Sequence, residues 1–128
     1  MGTTPLEIKQ GEIYWVRAKD LDVQGSEQMK NRPYVIVTRN PINRLGQNVV
    51  GVPLTTRLHK ACAHRILIQL AHMIQNPACT RQLQTSVALT DHIRVLDLRR
   101  LEQPKMGDLS DTAKGGLELA LANIFDIR

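Results

Sequence analysis

An α+β fold that is mostly β, with a small, curled or barrel-like antiparallel sheet and a C-terminal α-helix, is what this sequence predicts. Three observations carry that expectation. Five or six short runs rich in Val, Ile and Leu are punctuated by Gly, Pro, Asn and Asp. No helical period alternates with them, as a chain of βαβ units would require. The apolar spacing lengthens from two to about 3.6 residues only in the C-terminal segment.

Taken in order, Glu12 to Arg17 is a β-branched and aromatic run that predicts the first strand, and the polar stretch from Ala18 to Asn31, with Gly25 inside it, predicts a loop. Pro33 to Thr38 predicts a strand with proline at its first position, where the missing N–H is tolerated. Asn40-Pro41 and Leu45 to Asn48 form a turn-rich connection. Val49 to Leu54 predicts a strand that bulges or ends near Gly51 and Pro53. Arg65 to Leu70 predicts a further strand, and His72 to Gln82 a loop or short helical turn. Ser86 to Leu89 and Ile93 to Leu96 predict two strand segments divided by Thr90-Asp91-His92. Ser110 is the expected helix N-cap, and Asp111 supplies the acid that the first turn favours. Ala113, Leu117, Ala120, Leu121 and Ile124 then form one apolar stripe, interrupted by Gly115 and Gly116, which close packing against a sheet would explain.

The chain has 128 residues, the size of one domain spanning 1–128, and enough to bury a core without disulfides or a metal. Aromatic residues make up only 3%, so aliphatic side chains must supply the core, and rows of stacking rings are excluded as a nucleic-acid platform. The net charge of +5 and pI near 9.6 suit a polyanionic partner. The arginines are scattered and never run as a basic tail. Two cysteines, Cys62 and Cys79, cannot build a secreted disulfide framework, and with His64 and His72 they fit no zinc spacing. With no membrane-length apolar stretch and no signal-peptide pattern, a cytoplasmic protein without cofactor or metal is expected.

Four segments, in order, carry a resemblance to a known family. They are Gly11 to Val16; Gly25-Ser26-Glu27-Gln28 followed by Asn31-Arg32-Pro33-Tyr34-Val35-Ile36-Val37; Val49 to Thr56, with its Val-Pro-Leu-Thr core; and Ser86 to Asp97. Together they resemble the MazF/PemK toxins, the mRNA interferases of type II toxin–antitoxin systems. Where many members of that family carry Gln, this chain has His92. The resemblance implies an SH3-like barrel of the CcdB/MazF plasmid-toxin type. It also implies a homodimer with metal-independent endoribonuclease activity on single-stranded RNA or mRNA, held in check by a MazE- or PemI-like antitoxin.

That reaction needs no external nucleophile. The RNA 2′-hydroxyl attacks the adjacent phosphorus, leaving a 2′,3′-cyclic phosphate and a 5′-hydroxyl. Arginine suits the charge that develops, because its planar fork donates two parallel hydrogen bonds to phosphate oxygens. An arbitrary arginine is more often a surface residue, but at the family's Arg-Pro position Arg32 is implied as the transition-state clamp. Thr55 and Ser26 are implied as phosphate-binding hydroxyls beside it. On pattern alone Thr55 is a strand-end threonine bonding to local backbone, and Gly25-Ser26-Glu27 a simple turn. Glu27, Gln28, Thr56, Asp91 and His92 are implied to contact substrate. Glu27 is also a candidate general base, although Arg32 nearby would lower its basicity. His92 titrates near neutrality and is a secondary candidate for proton transfer, beside the equal prospect of a surface histidine without a role. Trp15 is expected in the core or an interface.

Two other readings stay open: a gyrase-inhibiting toxin of the CcdB type, which has no use for an Arg32–Thr55 pair, and a relative that binds RNA without cutting it.

Overall fold

A computed structural model describes residues 7–17, 31–40 and 46–125 of the chain. Among these residues eight strands precede one helix: β1 (Glu12–Val16), β2 (Arg32–Ile36), β3 (Asn48–Thr55), β4 (Leu67–Ile68), β5 (Met73–Gln75), β6 (Ser86–Ala88), β7 (Arg94–Asp97), β8 (Gly107–Leu109) and α1 (Asp111–Phe125). The strands hydrogen-bond in the order β4-β6-β3-β2-β1-β8-β5, with β7 also on β3, and every pairing is antiparallel. The result is a nearly closed barrel with the helix following its last strand.

Strand β3 turns the corner that curls the sheet. Its first half, Asn48 to Gly51, pairs with β7, while Leu54 and Thr55 pair with β6. Pro53 lies at the change of partner, and its carbonyl accepts from Leu89 N at 2.9 Å. The missing N–H of Pro53 therefore falls where the ladder is already broken, and the strand runs through the point at which the sequence predicts a bulge or an end. Gly51 earlier in β3 has a packing reason. A Cβ there would stand 2.7 Å from Leu96 Cδ1 and 3.1 Å from Tyr34 Cδ2.

Strands β1 and β2 are buried on both faces. Ile13 and Val35 point into a core shared with Val52, Leu54, Leu109, Ala113 and Leu117, beneath the helix. Tyr14, Val16, Tyr34 and Ile36 point the other way, into a second core with Ile8, Val49, Leu96 and Leu101. Such strands read as continuous apolar runs, as these do.

The C-terminal expectations hold in part. Ser110 caps α1, its Oγ accepting from Ala113 N at 3.2 Å. Ala113, Leu117 and Ala120 are buried and Leu121 and Ile124 half-buried. The glycine pair is not packed close, since a Cβ on Gly115 would meet nothing within 4 Å and one on Gly116 only Ile66 Cδ1 at 3.9 Å. The middle of the chain needs more correction. The strand expected over Arg65 to Leu70 is reduced to Leu67–Ile68, with a 3-10 turn at Leu70–His72. Met73–Gln75, read as loop or turn, is a strand paired with β8. Both are three-residue strands, too short to show a period, and they meet only because Gly107 lets the chains close in. A Cβ on Gly107 would lie 2.1 Å from the Ile74 carbonyl oxygen.

Candidate functional site

The end of β1, the start of β2 and the end of β3 lie together at one end of the barrel. In the β2–β3 ladder Tyr34 faces Pro53. Continuing that register by two residues puts Arg32 opposite Thr55. A cavity of about 420 Å³ opens there, lined by Arg32, Thr55 and Thr56 together with Trp15, Asn31, Pro33, Leu54, Arg81, Gln82, Gln84 and Met106. Three of the residues that the resemblance singles out are thus brought to one place.

Arg32 is half-buried, and its Nε is fully shielded yet makes no hydrogen bond among the described residues. A buried unsatisfied donor costs stability, so a guanidinium held this way is poised for an acceptor from outside. Burial raises the pKa of Tyr34, and Arg94, Arg32 and Arg100 oppose that rise by favouring its anionic form. Thr55 Oγ1 accepts from Arg57 N at 3.2 Å, the local strand-end bond that its position suggests. Accepting that bond leaves the hydroxyl proton of Thr55 to donate to a ligand. Thr56 beside it is exposed.

The sequence gives no warning of Arg81. Its guanidinium lies 4.1 Å from the centroid of the Trp15 ring, and it binds Glu102 through both arms, Nε to Oε1 at 2.7 Å and Nη2 to Oε2 at 3.3 Å. That hydrogen bonding holds the Glu102 carboxyl below its usual pKa. Trp15 is half-buried, as a residue at the core's edge should be, but it also lines the cavity and supports a cation. Tertiary structure alone joins residues so distant in the chain, and no local spacing could have found them.

Asp91 and His92 sit on a 3-10 turn, Thr90–His92, between β6 and β7. Buried Thr90 anchors that turn by donating to the His64 carbonyl. Arg65 grips Asp91 with Nε to Oδ1 and Nη2 to Oδ2, both at 2.7 Å. Arg65 Nη2 also donates to His92 Nε2 at 3.1 Å. A guanidinium has no lone pair to offer, so His92 Nε2 must be unprotonated there. Its pKa is accordingly lowered, first by burial and then by Arg65, Arg94 and Lys60, against the pull of Asp91. The pKa of Asp91 is lowered chiefly by the Arg65 bonds. Neither Asp91 nor His92 lines the cavity. Ser26, Glu27 and Gln28 lie outside the described residues.

The cavity can therefore hold a small anion between an arginine fork and hydroxyl donors. Among its described lining residues there is no carboxylate or imidazole. Of the cysteines, Cys62 is exposed and Cys79 buried, and among the described residues no three His, Cys, Asp or Glu converge to hold a metal. No helix among those residues is long and apolar enough to cross a membrane.

Residues 9–125 match the sequence family described as PemK-like, MazF-like toxin of type II toxin-antitoxin system. The Endoribonuclease MazF of Staphylococcus saprophyticus is 32% identical over 105 residues, which cover 81% of this chain and 79% of that protein. Solved structures share the fold at lower identity. MazF from Deinococcus radiodurans superposes with a TM-score of 0.68 at 18% identity, covering 95% of this chain and 99% of its own. A mycobacterial endoribonuclease in complex with its cognate antitoxin gives 0.64 at 20% identity, over 95% and 96%.

Proposed function

This chain belongs to the family of PemK-like, MazF-like toxins of type II toxin–antitoxin systems, and from that premise we propose that it is a sequence-specific endoribonuclease that cuts single-stranded RNA in the cavity between Arg32 and Thr55. One observation carries the assignment to this cavity: a guanidinium with a shielded, unspent donor shares it with a strand-end hydroxyl.

The scissile phosphate lies between those two groups. As the 2′-oxygen attacks phosphorus, negative charge grows on the non-bridging oxygens. Arg32 meets that charge with its fork and Thr55 with its O–H, both held in place before the reaction starts. The P–O5′ bond breaks, the 2′-oxygen gives up its proton, and the 5′-oxygen gains one. The products are a 2′,3′-cyclic phosphate and a 5′-hydroxyl. Ser26 adds a second hydroxyl, and Glu27 and Gln28 contact the substrate, with Glu27 the candidate proton acceptor. Thr56, Asp91 and His92 contact bases rather than the reacting atoms. His92 Nε2 already accepts from Arg65, so in the neutral imidazole Nδ1–H is the group left to donate to a base. No step calls for a metal, because the nucleophile belongs to the RNA.

The active form is a homodimer in the cytoplasm, and its inhibitor is an antitoxin whose acidic segment folds over the same face. The net charge of +5 supports both polyanionic partners.

Incubating purified protein with a long unstructured RNA in excess EDTA, beside Arg32→Ala, tests this reading. Discrete fragments with 5′-hydroxyl ends are expected from the wild type, with Arg32→Ala slower by about 10²- to 10³-fold. Equal cutting by both proteins would remove Arg32 from the reaction. No cutting of several RNAs by the wild type would leave binding to RNA, or to gyrase, as the function.

A further inference from the structure

We propose that Arg81, backed by Trp15 and neutralised by Glu102, is a stacking platform for one nucleobase next to the scissile phosphate, and that it sets which nucleotide is accepted there. The proposal rests on RNA occupying the Arg32–Thr55 cavity.

Three features separate Arg81 from a phosphate-binding arginine. First, its charge is already answered. Nε and Nη2 both bond Glu102, so a phosphate would have to compete with a carboxylate at 2.7 Å. Second, the edge carrying Nε and Nη2 is taken by Glu102, which leaves the plane as the surface offered to a base. The guanidinium carbon lies over the Trp15 ring, 4.1 Å from its centroid, while the side chain keeps 40% of its exposure and lines the cavity. Arginine planes are common supports for unstacked RNA bases, and an indole beneath keeps the plane fixed. In a chain with 3% aromatic residues this composite surface does what a row of rings would do elsewhere.

Third, the groups needed to read a base edge stand beside the platform. Gln82 and Gln84 line the same cavity. Between them Leu83 is buried in the core, so the segment is anchored with its two amide side chains outward. Gln75 clamps the backbone, Nε2 donating to the Arg81 carbonyl at 3.1 Å and Oε1 accepting from Leu83 N at 2.8 Å. Each glutamine offers a donor and an acceptor, the equipment for a Watson–Crick edge. Stacking on Arg81 orients the base, and the amides discriminate.

Trp15 is the only tryptophan of the chain, which makes the platform its own reporter. The test titrates the full chain with a 2′-O-methyl single-stranded oligoribonucleotide that cannot be cut, reading Trp15 emission, and separately maps cleavage of a mixed-sequence RNA. Wild type, Arg81→Leu and Arg81→Lys are compared. The oligonucleotide should change Trp15 emission in the wild type, and much less in both variants. Cleavage maps of both variants should show the preference at one position flanking the cut reduced by about tenfold. Lysine keeps the charge but not the plane, so recovery of both readouts by Arg81→Lys would overturn stacking in favour of simple charge. An unaltered preference and an unaltered Trp15 response in Arg81→Leu would overturn the proposal altogether. If the wild type cuts no RNA, the functional reading fails, and the titration still decides whether Arg81 stacks a base: a Trp15 response that needs Arg81 supports the platform, and any other result overturns it.

Discussion

Two arginines of this protein are used in opposite ways. Arg65 donates three hydrogen bonds, two to Asp91 and one to His92. Arg32 keeps a shielded Nε with no acceptor among the described residues and faces a cavity. The first arrangement fixes a turn and is complete without a ligand. The second is incomplete until an anion arrives. Unspent hydrogen-bonding capacity, held where water cannot readily supply it, is what distinguishes a binding site from a structural ion pair. Arg81 stands between them, its fork bound to Glu102 and its face still available.

The sharpest way to break the contrast is to keep both charges and remove both forks. Arg32→Lys should lower the initial rate on a fluorogenic oligoribonucleotide by about 10²-fold, since a point charge cannot make the paired bonds of a guanidinium. Arg65→Lys should lower it by less than about tenfold, because Arg65 reaches substrate only through the turn it holds. Equal losses would mean that both arginines serve the same end, and the distinction drawn from their partners would be lost.

Stability should reverse the order. Arg65→Ala leaves Asp91 without its bidentate partner and is expected to cost about 1 kcal/mol in urea unfolding. Arg32→Ala removes a shielded donor that has no partner among the described residues, and should cost nothing or stabilise slightly, as substitutions at binding sites often do. A clear loss of stability in Arg32→Ala would show that its guanidinium is already satisfied within the protein.

How much of this was legible in the sequence follows from which contacts are local. β1, β2, β3 and α1 announce themselves through apolar period and, for α1, through the Ser110 cap. β5 and β8 do not, because each has three residues and their pairing depends on Gly107 admitting the Ile74 carbonyl. Arg32, Thr55 and Thr56 are marked by the family resemblance, and the ladder register explains why Arg32 and Thr55 meet. Arg81 and Glu102 carry no local signal as site residues, because Trp15, beside which Arg81 lies, looks like any core aromatic in a β-run. Asp91 and His92 were visible as polar residues at a bend. Their partner Arg65, 26 residues before Asp91, was not.

The smallest expected effect concerns His92 and is read by pH. Burial and the neighbouring cations lower its pKa below the ordinary 6.5, so the unfolded chain takes up that proton more readily than the folded one. The stability contributed by its neutral form is complete above about 6.5 and is lost as pH falls through the lowered value. Asp91, also lowered, acts in the same direction below its ordinary 3.8, its contribution lost as pH falls through the shifted value. Thermal unfolding of the wild type followed from pH 7 to 5 should therefore show a fall in Tm that His92→Gln reduces, by less than about 3 °C. The same variant should still cut RNA at neutral pH, with an altered choice of site, because glutamine can also accept the Arg65 bond but cannot move a proton. Complete loss of cleavage in a folded His92→Gln protein would instead place the imidazole in the chemistry, and the turn that Arg65 holds would belong to the reacting centre after all.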